Sequence, residues 1–156
     1  MSNEWEINLN KLTLDFISAD LKEVYFTKLL STVDKQLAII RLAEITFDRS
    51  GKKSTEETAA LIKMLVEKFG DDMCIGAGTV TRIEEVFAAF ESGASYIISP
   101  NCDSDIILLT RKLGLVSMPA AYTATEIATA IKHGADYVKL FPADQVSEKY
   151  VRAIRA

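Results

Sequence analysis

The chain has 156 residues, a formal net charge of −4, and 49% hydrophobic against 26% charged residues, the composition of an ordinary globular domain. Eighteen basic against 22 acidic residues, with no basic block, argue against a nucleic-acid partner. The apolar runs fall short of a membrane span, and the acidic, polar start MSNEWEINLN is not a secretory signal.

Length also limits the fold. A complete eight-unit (β/α) barrel typically takes about 250 residues. At about 25 residues per strand-plus-helix unit, this chain holds about six. Cys74 and Cys102 show no metal spacing; they read as small buried hydrophobes in a reducing, cytoplasmic setting.

The first 40 residues are ambiguous. INLNKLTLDF fits a strand or a short helix. EVYFTKLLSTVDKQLAIIR carries Phe26, Leu29, Leu30, Val33, Leu37 and Ile40 at helical spacing, which predicts one amphipathic helix. A competing reading makes Leu37–Arg41 a strand, but it runs straight into LAEITF. Adjacent parallel strands need a crossover of a dozen or more residues, so that reading requires a helix the sequence does not carry there.

From Leu42 onward, strand and helix alternate. LAEITF (Leu42–Phe47) is a strand, and TEETAALIKMLVEKFG is a helix capped by Thr55 and ended by Gly70. MCIGAGTV, SYIISP, LVSMPA and DYVKLFPA are further strands. TRIEEVFAAFESGA, DSDIILLTRKLG, TATEIATAIKHGA and VSEKYVRAIRA are the intervening and final helices. The rhythm predicts a single α/β domain with a parallel sheet. Strands that are apolar throughout fit a sheet covered on both faces. Length alone favours an open sheet; the motifs below favour a TIM-barrel-like (β/α) arrangement short of eight units.

The polar residues that break this pattern are informative. Lys139 sits within Tyr137-Val138-Lys139-Leu140-Phe141, so it is expected in a covered interior where burial lowers its pKa and frees a nucleophilic amine. The alternative is a lysine whose head snorkels into solvent at the strand end. Glu44, mid-strand in LAEITF, is costly unless protonated or paired. Beside a buried lysine it would be a general acid/base. Gly76-Ala77-Gly78-Thr79 closes a strand with small residues and a hydroxyl, and lacks the third glycine of a dinucleotide fingerprint. Ser99-Pro100, Met118-Pro119 and Pro142 mark the ends of later strands. These features collect at C-terminal strand ends, where barrel and open α/β sites form. His133, in Lys-His-Gly, suits a helix C-terminus. One histidine and unclustered carboxylates give no metal site. Arg41, Arg49, Lys52 and Lys53 flank LAEITF and would meet a phosphate or solvent.

In order, EITF, GAGTV, a strand ending SP, MP followed by T-A-TEI, and GADYVKLFPA resemble the 2-keto-3-deoxy-6-phosphogluconate/4-hydroxy-2-oxoglutarate (KDPG/KHG) aldolases over Leu42–Ala156. The resemblance implies a trimeric (β/α)8 barrel that performs class I aldol chemistry with no metal or cofactor on a small keto acid. It implies cleavage of KDPG to pyruvate and glyceraldehyde 3-phosphate, and of 4-hydroxy-2-oxoglutarate to pyruvate and glyoxylate. By the same resemblance, Lys139 is the Schiff-base lysine and Glu44 the proton shuttle. Thr79, Pro100 and Phe141 surround the pyruvyl group, and Arg41 ends the family's first strand as a substrate-side arginine.

Departures from the pattern carry their own expectations. Asp48 stands where the family often has arginine, with Arg49 one place later, and Pro119-Ala120 replaces the usual Pro-Gly. The first crossover helix and the last two strands, with the phosphate-binding turn, are expected to be absent. The sequence thus carries the aldol half of the site without the phosphate half, and turnover by this chain is expected to be weak. Two other readings remain: an inactive aldolase-like fold serving as an oligomerising or binding module, and another phosphosugar-binding barrel enzyme with a structural lysine.

Overall fold

The computed structural model describes residues 16–18, 41–144 and 146–155. Six strands alternate with five helices among them: β1 (Phe16–Ser18), β2 (Leu42–Thr46), α1 (Thr55–Phe69), β3 (Cys74–Gly78), α2 (Ile83–Glu91), β4 (Tyr96–Ser99), α3 (Ser104–Lys112), β5 (Val116–Ala121), α4 (Ala124–Lys132), β6 (Lys139–Leu140) and α5 (Glu148–Arg155). The strands pair in chain order, each parallel to the next. This is the expected (β/α) arrangement of about six units.

The strand beside β2 is Phe16–Ser18, with Phe16 opposite Leu42 and Ser18 opposite Glu44, so the competing reading of a strand at Leu37–Arg41 does not supply that neighbour. Residues 19–41 lie between the two strands, which satisfies the length that a parallel crossover needs. The expected helix over residues 23–41 lies almost wholly outside the described residues; Arg41 itself is non-helical.

Helix boundaries follow local chemistry. Ser54, rather than Thr55, caps α1: its hydroxyl accepts from the Glu57 N–H while the Glu57 carboxylate accepts from the Ser54 N–H. This reciprocal box satisfies two of the orphan amide donors of a first turn. Thr123 and Glu126 do the same for α4. Its other end is held by His133, whose Nδ1 lies 2.7 Å from the Thr129 carbonyl, in keeping with the capping role read from Lys-His-Gly.

Strand alternation separates two faces. Ile45, Phe47, Ile75, Ala77 and Ile97 pack against Ile62, Leu65 and Phe69 of α1, Val86 and Ala89 of α2, and Ile106 of α3. The opposite face carries, strand by strand in register, Leu42 and Glu44, Cys74, Gly76 and Gly78, Tyr96, Met118, then Ala120 and Lys139. Among the described residues, α1, α2 and α3 pack on the first face. Cys74, expected to be buried, stands on the other face and is exposed at the start of β3, and Cys102 is half-buried in the loop before α3.

Candidate active site

Glu44 stands on the face away from the helices and is only 7% exposed. Its neighbour across the sheet explains how a carboxyl fits there. A Cβ added to Gly78 would lie 1.4 Å from Glu44 Oε1 and 2.3 Å from its Cδ, so the missing side chain at Gly78 is the space the carboxyl occupies. Burial pushes the Glu44 pKa up, and the Lys139 charge opposes that shift. Four strands apart in sequence, Glu44 and Lys139 therefore share one face and one electrostatic environment.

Gly76 plays the same part for Tyr96. Its absent Cβ would fall 2.1 Å from the tyrosine ring, which lies across β3 and donates its hydroxyl to the Ala43 carbonyl at 2.7 Å. The ring is fully buried beside Glu44. Burial, then the nearby Glu44 and Cys74, hold its phenol protonated well above the usual tyrosine range.

Lys139 follows the second of its two readings, the lysine whose head reaches solvent at the strand end. It is exposed, because β6 is an edge strand with no further strand beside it among the described residues. Its ammonium sits 4.6 Å from the centroid of the Phe141 ring, a cation–π contact. Thr79, Pro100 and Phe141 directly follow or lie just beyond the C-terminal ends of β3, β4 and β6. Parallel strands place them on one rim with Lys139. Thr79 and Pro100 are half-buried and Phe141 is 44% exposed.

Arg41 does not join them. It precedes β2, and its guanidinium donates to the Asp72 carbonyl at the N-terminal end of the sheet, the rim opposite Thr79. Arg49 comes closer. The Asp48 carboxylate accepts from the Ser50 hydroxyl and from the Ser50, Lys52 and Lys53 N–H groups, which holds it well below the usual carboxylate range and ties down the loop after β2. From that loop Arg49 reaches the Thr79 carbonyl at 2.5 Å and the Glu85 carboxylate at 2.6 Å.

Glu85 and Tyr96 were not singled out by sequence. Glu85 is the third residue of α2, an ordinary place for a helix-start acid, and only its complete burial marks it. Tyr96 reads as one apolar residue of SYIISP. The one available signal was its alignment with a glycine on the neighbouring strand.

A sheet of parallel strands with a buried carboxyl and a lysine on one face, rimmed by small residues and prolines, is a (β/α)-barrel site suited to carbonyl chemistry. The profile of the KDPG and KHG aldolase family matches residues 27–156, and the chain belongs to that family. It is 37% identical over 95 residues to the 2-dehydro-3-deoxy-6-phosphogalactonate aldolase of Escherichia coli, a match covering 61% of this chain and 46% of that protein. A native KDPGal structure superposes with a TM-score of 0.73 at 28% identity, covering 90% of this chain and 64% of that one. A Legionella pneumophila KDPG aldolase, holding pyruvate as a covalent carbinolamine, superposes with a TM-score of 0.71 at 22% identity, over 89% and 63% of the two chains. The chain thus spans about half the length of the curated relative and under two thirds of these solved structures.

Proposed function

We propose that this chain carries the aldol-cleaving half of a class I aldolase acting on a 2-keto-3-deoxy-6-phospho sugar acid, of the gluconate or galactonate series. The observation that carries this reading is Glu44, buried over Gly78 and within reach of the Lys139 charge. Curated relatives named for both sugar acids, at 37% and 32% identity, support the substrate class. 4-Hydroxy-2-oxoglutarate is a smaller substrate of the same chemistry.

The Lys139 ammonium releases a proton to solvent, and the resulting amine attacks the C2 ketone to give a carbinolamine. Loss of water, with a proton delivered by Glu44, leaves an iminium. Glu44, now ionised, takes the C4 hydroxyl proton as the C3–C4 bond breaks. The bonding pair moves into the iminium, forming an enamine and releasing glyceraldehyde 3-phosphate. Glu44 returns its proton to C3, and hydrolysis frees pyruvate and the lysine. The iminium is the electron sink, so the sequence of steps calls on no cofactor. A carboxyl whose pKa burial raises suits this alternation, since it holds a proton more readily than an exposed carboxyl does. Thr79, Pro100 and Phe141 would enclose the pyruvyl part.

A homotrimer in the cytoplasm completes the reading. Ile83, Phe87 and Phe90 form an apolar stripe on the outer face of α2, each about 40% exposed, which supports self-association. No helix among the described residues is long and apolar enough to cross a membrane. Incubation with pyruvate and borohydride, followed by peptide mapping, tests the chemistry. The expected result is one reduced pyruvyl adduct on Lys139. No adduct, or one that persists in Lys139→Ala, would overturn the reading.

A further inference from the structure

Thr79 has a backbone φ of +55°, the only non-glycine residue with positive φ among those described. For a β-branched residue this is a genuine outlier, and such a conformation persists only where its surroundings over-determine it. Here they do so from three sides. Arg49 donates to the Thr79 carbonyl at 2.5 Å. The next N–H, that of Val80, donates to the Ile98 carbonyl at 3.1 Å. The N–H groups of Thr81 and Arg82 donate to Glu85 Oε2 at 2.9 and 3.2 Å.

Glu85 is the centre of this arrangement. Its side chain is wholly buried, and it accepts from Arg49 at 2.6 Å and from Arg82 Nε and Nη2 at 3.0 and 2.8 Å. Burial pushes its pKa up, but the hydrogen bonds from Arg49, Thr81 and Arg82 and the Arg49 charge together hold it below the ordinary range, so it is an anion at neutral pH. A buried anion with five donors is a rigid anchor. One guanidinium nitrogen of Arg49 bridges it to Thr79, linking the loop after β2 to the loop after β3.

We propose that Glu85, acting through Arg49, is a positioning residue that holds Thr79 in its left-handed conformation at the rim of the pyruvate pocket. This deepens the reading above and rests on it for the role of Thr79. In this chain Arg49 is thereby committed to protein groups. Asp48, tied into its own turn, is the reason the arginine leaves β2 in that direction.

The test uses the 156-residue chain and its Arg49→Met and Glu85→Gln variants. The first readout is the pyruvate dependence of borohydride trapping at Lys139. Both variants are expected to raise the half-saturating pyruvate concentration by about tenfold or more, with the limiting trapping rate within about threefold of wild type. The double variant should be no worse than the poorer single one, because both act on one clamp. The second readout is amide hydrogen exchange. Residues 79–82 should exchange about tenfold faster in either variant while α1 keeps its protection. Unchanged saturation in folded variants, or a loss of trapping that tracks global unfolding, would overturn the proposal. If the wild-type chain is not trapped at all, the aldolase reading fails, and unchanged exchange at residues 79–82 would then overturn the clamp as well.

Discussion

Gly78→Ala places one methyl group against the Glu44 carboxyl. Its Cβ would stand 1.4, 2.3 and 2.6 Å from Oε1, Cδ and Cγ of Glu44, so the whole end of the side chain must leave, not its tip alone. Rebuilding an ordinary contact of 3.4 Å moves Oε1 by about 2.0 Å. Glu44 is nearly enclosed, so the move requires a new rotamer or a local shift of β2 against β3. Overpacking of this kind costs about 1–3 kcal/mol, and in a chain of this size 1 kcal/mol lowers Tm by about 2–4 °C. The functional cost should be larger, because a positioned general acid/base contributes about 10²–10⁴-fold. Exchange of the pyruvate methyl protons with deuterium, followed by NMR, should fall by about 100-fold or more. Borohydride trapping at Lys139 should fall far less. In a Glu44→Gln background the glycine substitution should add little to the loss of exchange, since the group it displaces is already inert. A folded Gly78→Ala protein exchanging pyruvate protons within threefold of wild type would refute the reasoning.

Other expectations follow from single sites. The raised Glu44 pKa means the folded state favours the protonated carboxyl; that contribution to stability is full below the unfolded value, near 4.5, and is lost as pH rises through the folded value. Glu44→Gln should therefore melt higher than wild type at pH 7 and no higher at pH 4, and equal melting at both would count against a buried, desolvated carboxyl. Thr110 buries a hydroxyl with no hydrogen-bond partner. Thr110→Val should stabilise by about 1 kcal/mol in urea unfolding, and a destabilised variant would mean the hydroxyl is satisfied. Removing the α1 cap with Ser54→Ala should cost about 1 kcal/mol, read by the same titration, with no change in trapping per folded molecule. Phe87→Glu on the outer face of α2 should shift light-scattering mass toward the monomer; an unchanged assembly would remove that stripe from the interface.

Periodicity made the fold from Leu42 onward legible, because each strand is a short apolar run ended by a turn signal and each helix has a visible stripe. The burial of Glu44 was legible for a related reason: a carboxyl in the middle of an apolar strand has to lie on one covered face or the other. The strand beside β2 was not legible. Phe16–Ser18 is three residues long and leaves no periodic trace, while AIIR, the more strand-like sequence, lies too close to β2 to pair beside it. The exposure of Lys139 is the solvent-facing one of the two readings left open for it, and they stayed open because a strand sequence does not reveal whether it stands at an edge. Glu85 was missed because an acid in the first turn of a helix looks the same whether it faces solvent or two arginines. Gly78 was read only as one of the small residues closing a strand; the room it leaves is for Glu44.

The central claim is that Lys139 and Glu44 work as a pair on a bound keto acid. Proton exchange at the pyruvate methyl group in deuterium oxide measures it most directly, because it requires an enamine on the lysine and a proton carrier beside it. Exchange by the wild-type chain, abolished in Lys139→Ala and reduced by at least about 100-fold in Glu44→Gln, is the predicted result. Exchange that continues in either variant at the wild-type rate would contradict it.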